Sequence, residues 1–256
     1  MASSLIVDLN CDLGESFGRY KLGDDAAMMD MVTSANIACG FHAGDPGVMA
    51  RTVIMARDRG VALGAHPGYP DLQGFGRRPM GISAEEVSHL ICYQLGALEA
   101  FARIAGVRMS HIKPHGALYN LASQDQGMAV AISRAVAAYD RDLILVGLAG
   151  SELVRAGQAV GLHVANEGFP DRSYLSDGQL APRSQPDALI TDPEEVARHA
   201  VQLVRDGVII HNDRVTIDTL CIHGDHPHAV SNAHKIRQAL QAAGVQIRPL
   251  NHHPSD

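Results

Sequence analysis

The sequence predicts an α/β fold in which parallel strands close into a barrel. Seven short apolar runs each end abruptly in a cluster of His, Asp, Glu, Asn or Gly, and a helical pattern follows. A parallel strand buried on both faces reads as continuous apolar sequence, with its crossover helix packed outside. Nearly all the reactive side chains fall in the segments after the runs. A barrel gathers those segments at one face, where the active sites of such folds lie. The length, 256 residues, suits one barrel domain spanning 1–256.

The elements follow in order. LIVDL (5–9) leads into NCDLGE, and SANIA (34–38) leads into CGFHAGD. A helix over 48–59 ends at Gly60, and VALGA (61–65) then runs into HPGYPD. Ser83 and Glu86 form a capping box before Val87, Leu90, Ile91, Leu95 and Leu98, and Gly106 closes that helix. SHI (110–112) precedes KPHG, LILVGL (143–148) precedes AGSE, and LHVAN (162–166) precedes EGFPDR. The stretch from Gly168 to Thr191, rich in Asp, Ser, Gly and Pro, is long for a βα loop and reads as a lid over the mouth. Asp192, Pro193 and Glu195 open a helix carrying Val196, Ala200, Leu203 and Val204, ended by Gly207. TLCI (219–222) runs into HGDH, and the last helix carries Val230, Ala233, Ile236 and Leu240 up to Gly244.

Composition narrows the function. Apolar residues make up 46% and aromatics 4%, without tryptophan, so the core is built from Ala, Val, Leu, Ile and Met. A formal charge of -7 argues against nucleic acid or an anionic membrane surface as partner. No stretch is long and apolar enough for a bilayer, and the start MASSLIVDLN has no signal-peptide pattern, so cytoplasm is the expected compartment. The four cysteines (Cys11, Cys39, Cys92, Cys221) are far apart and form no CxxC pair, which points away from disulfides and structural zinc. None of the three lysines (Lys21, Lys113, Lys235) follows a Walker-type loop.

The clusters carry the chemistry. Asn10, Asp12 and Glu15 stand just past the first run, where they could bind a hard cation, act as acid and base, or merely cap a turn. Around Asn36 and His42, small residues let backbone approach a ligand, and Asp45 before Pro46 reads equally as an N-cap or a ligand. His66 ends a strand; beyond it Arg77 and Arg78 suit a carboxylate or phosphate, or a solvated loop. His111, Lys113 and His115 share a period-two face, and a lysine on an apolar strand is costly unless paired or used. Later come Glu167 and the Asp171–Arg172 pair, then His223 with Asp225. The junction Gly147-Leu148-Ala149-Gly150-Ser151 could seat a phosphate on a helix N-terminus. Fourteen histidines invite a metal reading, with Asp12, His66 and His115 as ligands of a divalent ion, although no compact ligand motif is present.

At these clusters the chain resembles the LamB/YcsF family, identified with the A subunit of the prokaryotic 5-oxoprolinase (ATP-hydrolysing). The matching stretches are DLNCDLGESFG, TSANIACGFHAGDPGVM, GAHPGYPDLQGFGRR, HIKPHGALYN, the E..PDR.Y..DG.L..R run from Glu167 to Arg183, and CIHGD. Cys11 and Ser16 replace smaller Ala and Gly, and Gly168 and Pro170 alter the usual E.FADR. The resemblance implies a distorted, seven-stranded (β/α)7 TIM-like barrel related to the glycoside hydrolase/deacetylase superfamily. It also implies ATP-dependent opening of 5-oxo-L-proline to L-glutamate, with ATP and Mg2+ and with partner subunits B and C.

For that reaction the residue chemistry assigns anionic charges to Lys113 and to Arg172 or Arg77. Asp12 or Glu15 serves as base or Mg2+ ligand, while His42, His66, His115 and His223 move protons or bind a metal. Glu167 joins the catalytic set. Asn10, Asn36, Gly147, Gly150, Ser151, His223 and Asp225 are candidates for holding substrate or phosphate. Lys113→Met is expected to stop turnover and spare the fold. The rivals are a stand-alone metal-dependent amide or ester hydrolase of deacetylase type and a non-catalytic substrate-binding subunit.

Overall fold

The structure, a computed structural model, describes residues 5–182, 185–224 and 228–250. The chain runs β1 (Ile6–Leu13), α1 (Asp25–Met29), β2 (Ser34–Ala38), α2 (Pro46–Arg59), β3 (Ala62–His66), α3 (Ala84–Ala105), β4 (Met109–Ile112), α4 (Gly116–Gln124) and α5 (Gln126–Tyr139). It continues through β5 (Ile144–Leu148), α6 (Glu152–Ala159), β6 (Val164–Gly168), α7 (Pro193–Asp206), β7 (Val208–Ile210), β8 (Asp213–Val215), β9 (Thr219–Cys221), α8 (Ala229–Ala242) and β10 (Gln246–Ile247). Strands β1 to β6 and β9 pair in parallel sequence, and β9 returns to β1, closing a seven-stranded barrel. The seven apolar runs are these seven strands.

Three strands, β7, β8 and β10, carry no sequence signal of the kind used above. β7 and β8 form an antiparallel hairpin after α7. β10 adds to the start of β1, pairing Ile6 with Gln246 and Val7 with Ile247. Local chemistry explains most helix ends. Ser83 and Glu86 cap each other's backbone at α3, and Gly106 ends that helix at φ 74°. Asp45 accepts from the Val48 N–H ahead of Pro46, so it is the N-cap of α2. The inner face of α3 buries Val87, Leu90, Ile91, Leu95 and Leu98, each worth roughly 1.5–3 kcal/mol of transfer free energy.

The first strand corrects the expectation that it stops at residue 9. β1 extends to Leu13, and from Val7 onward apolar and polar residues alternate along it. Val7, Leu9, Cys11 and Leu13 face the helices in the main apolar core, whereas Asp8, Asn10 and Asp12 point into the barrel, where they bond to other strands. Asn10 and Asp12 are therefore strand residues. The barrel interior has two kinds of wall. Ile144, Val146 and Ala165 make a small apolar cluster on β5 and β6, and the other strands, together with Glu167 of β6, supply hydrogen-bonded polar side chains.

Candidate active site

The polar interior is built in layers, because side chains two apart on neighbouring strands meet at the barrel axis. At the bottom Asp8 accepts from the hydroxyls of Thr33 (2.7 Å), Ser34 (2.6 Å) and Thr219 (2.6 Å). Above it Asn10 donates to Thr219 Oγ1 (2.7 Å) and Glu167 Oε1 (3.1 Å) and accepts from Asn36 Nδ2 (2.7 Å). His111 Nε2 lies 2.9 Å from Asn36 Oδ1. Burial, with the Lys113 charge beside it, pulls His111 down to about 3, so this ring is neutral and structural.

The top layer is the floor of the mouth. Lys113 Nζ meets Glu167 Oε1 at 2.7 Å, Asp12 Oδ1 at 3.1 Å, Asn10 Oδ1 at 3.2 Å and Cys221 Sγ at 3.2 Å. Its three N–H donors are thus already engaged by four acceptors. Burial works against the ammonium, but the carboxylates of Asp12 and Glu167 outweigh it and hold Lys113 charged, well above the usual lysine range. Asp12 is raised by burial, yet His66 and Lys113 hold it well below the usual carboxylate range. Glu167 is fully enclosed: its second oxygen accepts from the Tyr119 hydroxyl at 2.7 Å. Glu167 anchors Lys113, while Asp12 keeps 23% of its side chain exposed to the cavity.

The histidines gather beside Asp12. His66 Nε2 lies 3.2 Å from Asp12 Oδ2 and 2.9 Å from His115 Nδ1. His42 stacks on His115 with ring centres 3.7 Å apart, and its Nε2 is 3.3 Å from Glu15 Oε1. Burial and the neighbouring rings push His42 well below the usual imidazole range, and His115 to about 3. Glu15, His42, His66 and His115 bring one ligand atom each within 4.8 Å of one another, a group able to hold a metal ion.

A cavity of about 420 Å3 opens above this floor. Asp12, His66, Lys113, His115, Arg77, Tyr119, Phe169, Arg172 and His223 all line it. The segment after β6 covers one side through Phe169, Arg172 and Gln179 to Pro182, as the lid reading expects. Arg77 and Arg78 part company: Arg77 lines the cavity, whereas Arg78 closes on Asp71, Nε to Oδ2 at 2.9 Å. Asp171 engages His223 Nδ1 at 2.6 Å.

The structure does not bring Gly147, Gly150 and Ser151 to this cavity. A Cβ on Gly147 would meet Val154 and Leu153 at 3.2–3.3 Å, and one on Gly150 would strike Ile210 at 2.6 Å, so both glycines allow close packing. Ser151 caps α6 by accepting from Val154 N–H. Asp225 lies outside the described residues. Sequence reasoning gives no role to Asp8, Tyr119, Thr219 or Cys221. For Asp8 the signal is there, a carboxylate inside an apolar run, since a fully buried carboxylate is rare unless partnered.

Residues 7–255 match the LamB/YcsF family. The chain is 55% identical over 249 residues to the A subunit of 5-oxoprolinase from Bacillus subtilis (strain 168), covering 96% of this chain and 97% of that one. It is 56% identical over 248 residues to the A subunit of 5-oxoprolinase from Methylococcus capsulatus, covering 95% of each. The crystal structure of the lactam utilization protein from Thermus thermophilus superposes with a TM-score of 0.89 at 48% identity, over 96% of this chain and 100% of that one. The catalytic domain of a peptidoglycan N-acetylglucosamine deacetylase from Eubacterium rectale superposes with a TM-score of 0.52 at 15% identity, over 98% and 91%, a likeness of fold.

Proposed function

The chain belongs to the LamB/YcsF family, and from that premise we propose that it opens 5-oxo-L-proline to L-glutamate at the expense of ATP, acting in the cytoplasm with subunits B and C of a 5-oxoprolinase. What supports this reading is the convergence on one cavity of two guanidiniums, a His–Asp pair and an ionised aspartate. The cavity's 420 Å3 suits a small molecule.

A lactam has no good leaving group. Transfer of a phosphoryl group from ATP, accompanied by Mg2+, to the lactam oxygen leaves ADP and activates carbon 5. Water adds there, the bond to nitrogen breaks with a proton delivered to nitrogen, and a second water releases phosphate. Arg77 and Arg172 hold the substrate carboxylate. Asp12 takes a proton from water, and His223, oriented by Asp171, gives one to the departing nitrogen. Lys113 keeps Asp12 ionised and Glu167 fixes Lys113. This revises the assignment of Lys113 to the phosphoryl group, since its donors are committed.

The test is phosphate release from ATP with Mg2+, with and without 5-oxoproline, using this chain alone and together with candidate B and C subunits. Release that requires 5-oxoproline and all three chains is expected. Release indifferent to 5-oxoproline in the full mixture refutes the reading. The Glu15–histidine cluster favours a second reading, a stand-alone metal-dependent amide or ester hydrolase. It predicts ATP-independent, chelator-sensitive hydrolysis by this chain alone.

A further inference from the structure

The ring-opening chemistry leaves the histidine cluster without a task. The donor set there is unusual in how its protons are allotted. His66 Nδ1 lies 2.7 Å from the Lys113 carbonyl and His115 Nε2 lies 2.8 Å from the Phe75 carbonyl. A carbonyl only accepts, so each ring turns an N–H to it. His66 Nε2 and His115 Nδ1, turned away from those carbonyls, face each other at 2.9 Å. Asp12 Oδ2 stands 3.2 Å from the first, and Glu15 Oε1 stands 3.6 Å from the second. Two imidazole nitrogens and two carboxylate oxygens at such separations are a donor set that a divalent cation takes. In tetrahedral sites with bonds of about 2.0–2.1 Å, ligand atoms are about 3.4 Å apart, and the three spacings given, 2.9, 3.2 and 3.6 Å, bracket that value.

Asp12, Glu15 and Glu167 bring three carboxylates to the floor, with Lys113 buried among them and the Arg77 guanidinium close enough to act on His42 and His115. His42 differs from the other two rings. Its Nδ1 is buried with no hydrogen-bond partner, against Gly68, where a Cβ would approach to 2.6 Å. A proton placed on Nδ1 would be stranded, whereas on Nε2 it reaches Glu15 at 3.3 Å.

We propose that Asp12, Glu15, His66 and His115 form the binding site of one divalent transition-metal ion of the zinc class, and that His42 stands outside it as the donor that orients Glu15. Two imidazoles select zinc, cobalt, nickel or iron over magnesium, so this site is separate from any Mg2+ that travels with ATP. The carbonyls of Lys113 and Phe75 are the outer partners that fix the two ligand tautomers.

The experiment titrates the chelator-stripped chain alone with Co2+ and then Zn2+, following ligand-field absorption and calorimetry. No substrate, ATP or partner is present, so the outcome is independent of the lactam reading. One equivalent of Co2+ with the absorption of a four-coordinate site, displaced by Zn2+, is expected. Glu15→Gln and His115→Gln should each weaken binding at least tenfold and change the spectrum. His42→Phe keeps the ring stacked on His115 but removes the N–H; it should retain the spectrum with affinity lowered roughly 10–100-fold. Unfolding midpoints establish that each variant is folded, and Glu15→Gln, at the partly exposed member, serves if His115→Gln does not fold. Absence of binding at millimolar Co2+ by the folded wild type would mean a shared proton only and would overturn the proposal. So would binding indifferent to Glu15→Gln, or a spectrum abolished by His42→Phe.

Discussion

Lys113 shows why a residue's chemistry depends on what already surrounds it. It is the cation of a buried cluster whose other members are Asp12 and Glu167. Removing one partner of such a cluster strands the opposite charges, a cost of about 3–5 kcal/mol. Lys113→Met is therefore expected to lose stability as well as turnover, contrary to the sequence expectation that the fold is spared. The double variant Lys113→Met/Glu167→Gln removes one stranded carboxylate and should be more stable than Lys113→Met alone in urea unfolding. A double variant less stable than the single one would show that Glu167 does not depend on the ammonium. Asp8 provides the matching case without a cation. Burial raises it to about 6, against the lowering effect of bonds from Ser34, Thr219 and Thr33. The native state thus binds this proton more tightly than the unfolded chain, whose aspartates titrate near 3.9. Stability should fall as pH rises through that window, by about 3 kcal/mol, and level off above it. Asp8→Asn should abolish this fall. The measurement is the difference between wild-type and variant urea stabilities from pH about 4 to about 7; a flat difference contradicts the assignment.

At the scale of elements, the polar interior needs one small position on β3. On β3 a Cβ at Gly64 would lie 2.1 Å from His111 Nε2. That ring is tethered to Asn36, which in turn bonds Asn10 and Asp12. Gly64 has no left-handed backbone requirement, so the contact alone decides the cost. Gly64→Ala should destabilise by about 1–3 kcal/mol through overpacking and should displace the Asp12 layer. Gly96, on the exposed side of α3, has nothing within 4 Å of its added Cβ. There alanine restores helix propensity, and Gly96→Ala should stabilise by up to about 1 kcal/mol. Opposite signs for the two substitutions in thermal unfolding are the expected result; equal effects would show that the interior relaxes around His111.

Across the whole molecule, the sequence reveals the ring of strands better than it reveals their contents. All seven runs are visible because Leu9, Ile37, Leu63, Ile112, Leu145, Val164 and Leu220 form the outward face that packs on the helices. Asn10 and Asp12 read as loop residues because polarity after an apolar run resembles a strand end, whereas here it marks the inward face of β1. Period-two spacing does expose His111 and Lys113. Which histidine meets which carboxylate, however, is set by barrel closure over separations such as the 211 residues between Asp8 and Thr219, and no local pattern encodes that. The same closure governs stability. β1 is held by β2 and, through β9 and β10, by the last part of the chain, so no half of the barrel keeps its interior bonds without the other. If residues 1–256 are one domain, unfolding should be a single transition. Far-UV circular dichroism and tyrosine fluorescence, the intrinsic emission of a chain with six tyrosines and no tryptophan, should give coincident urea midpoints. Two separated midpoints would mean that the first strands fold without β9, and that the buried floor joining Asn10 to Thr219 and Lys113 to Glu167 is assembled after the barrel rather than with it.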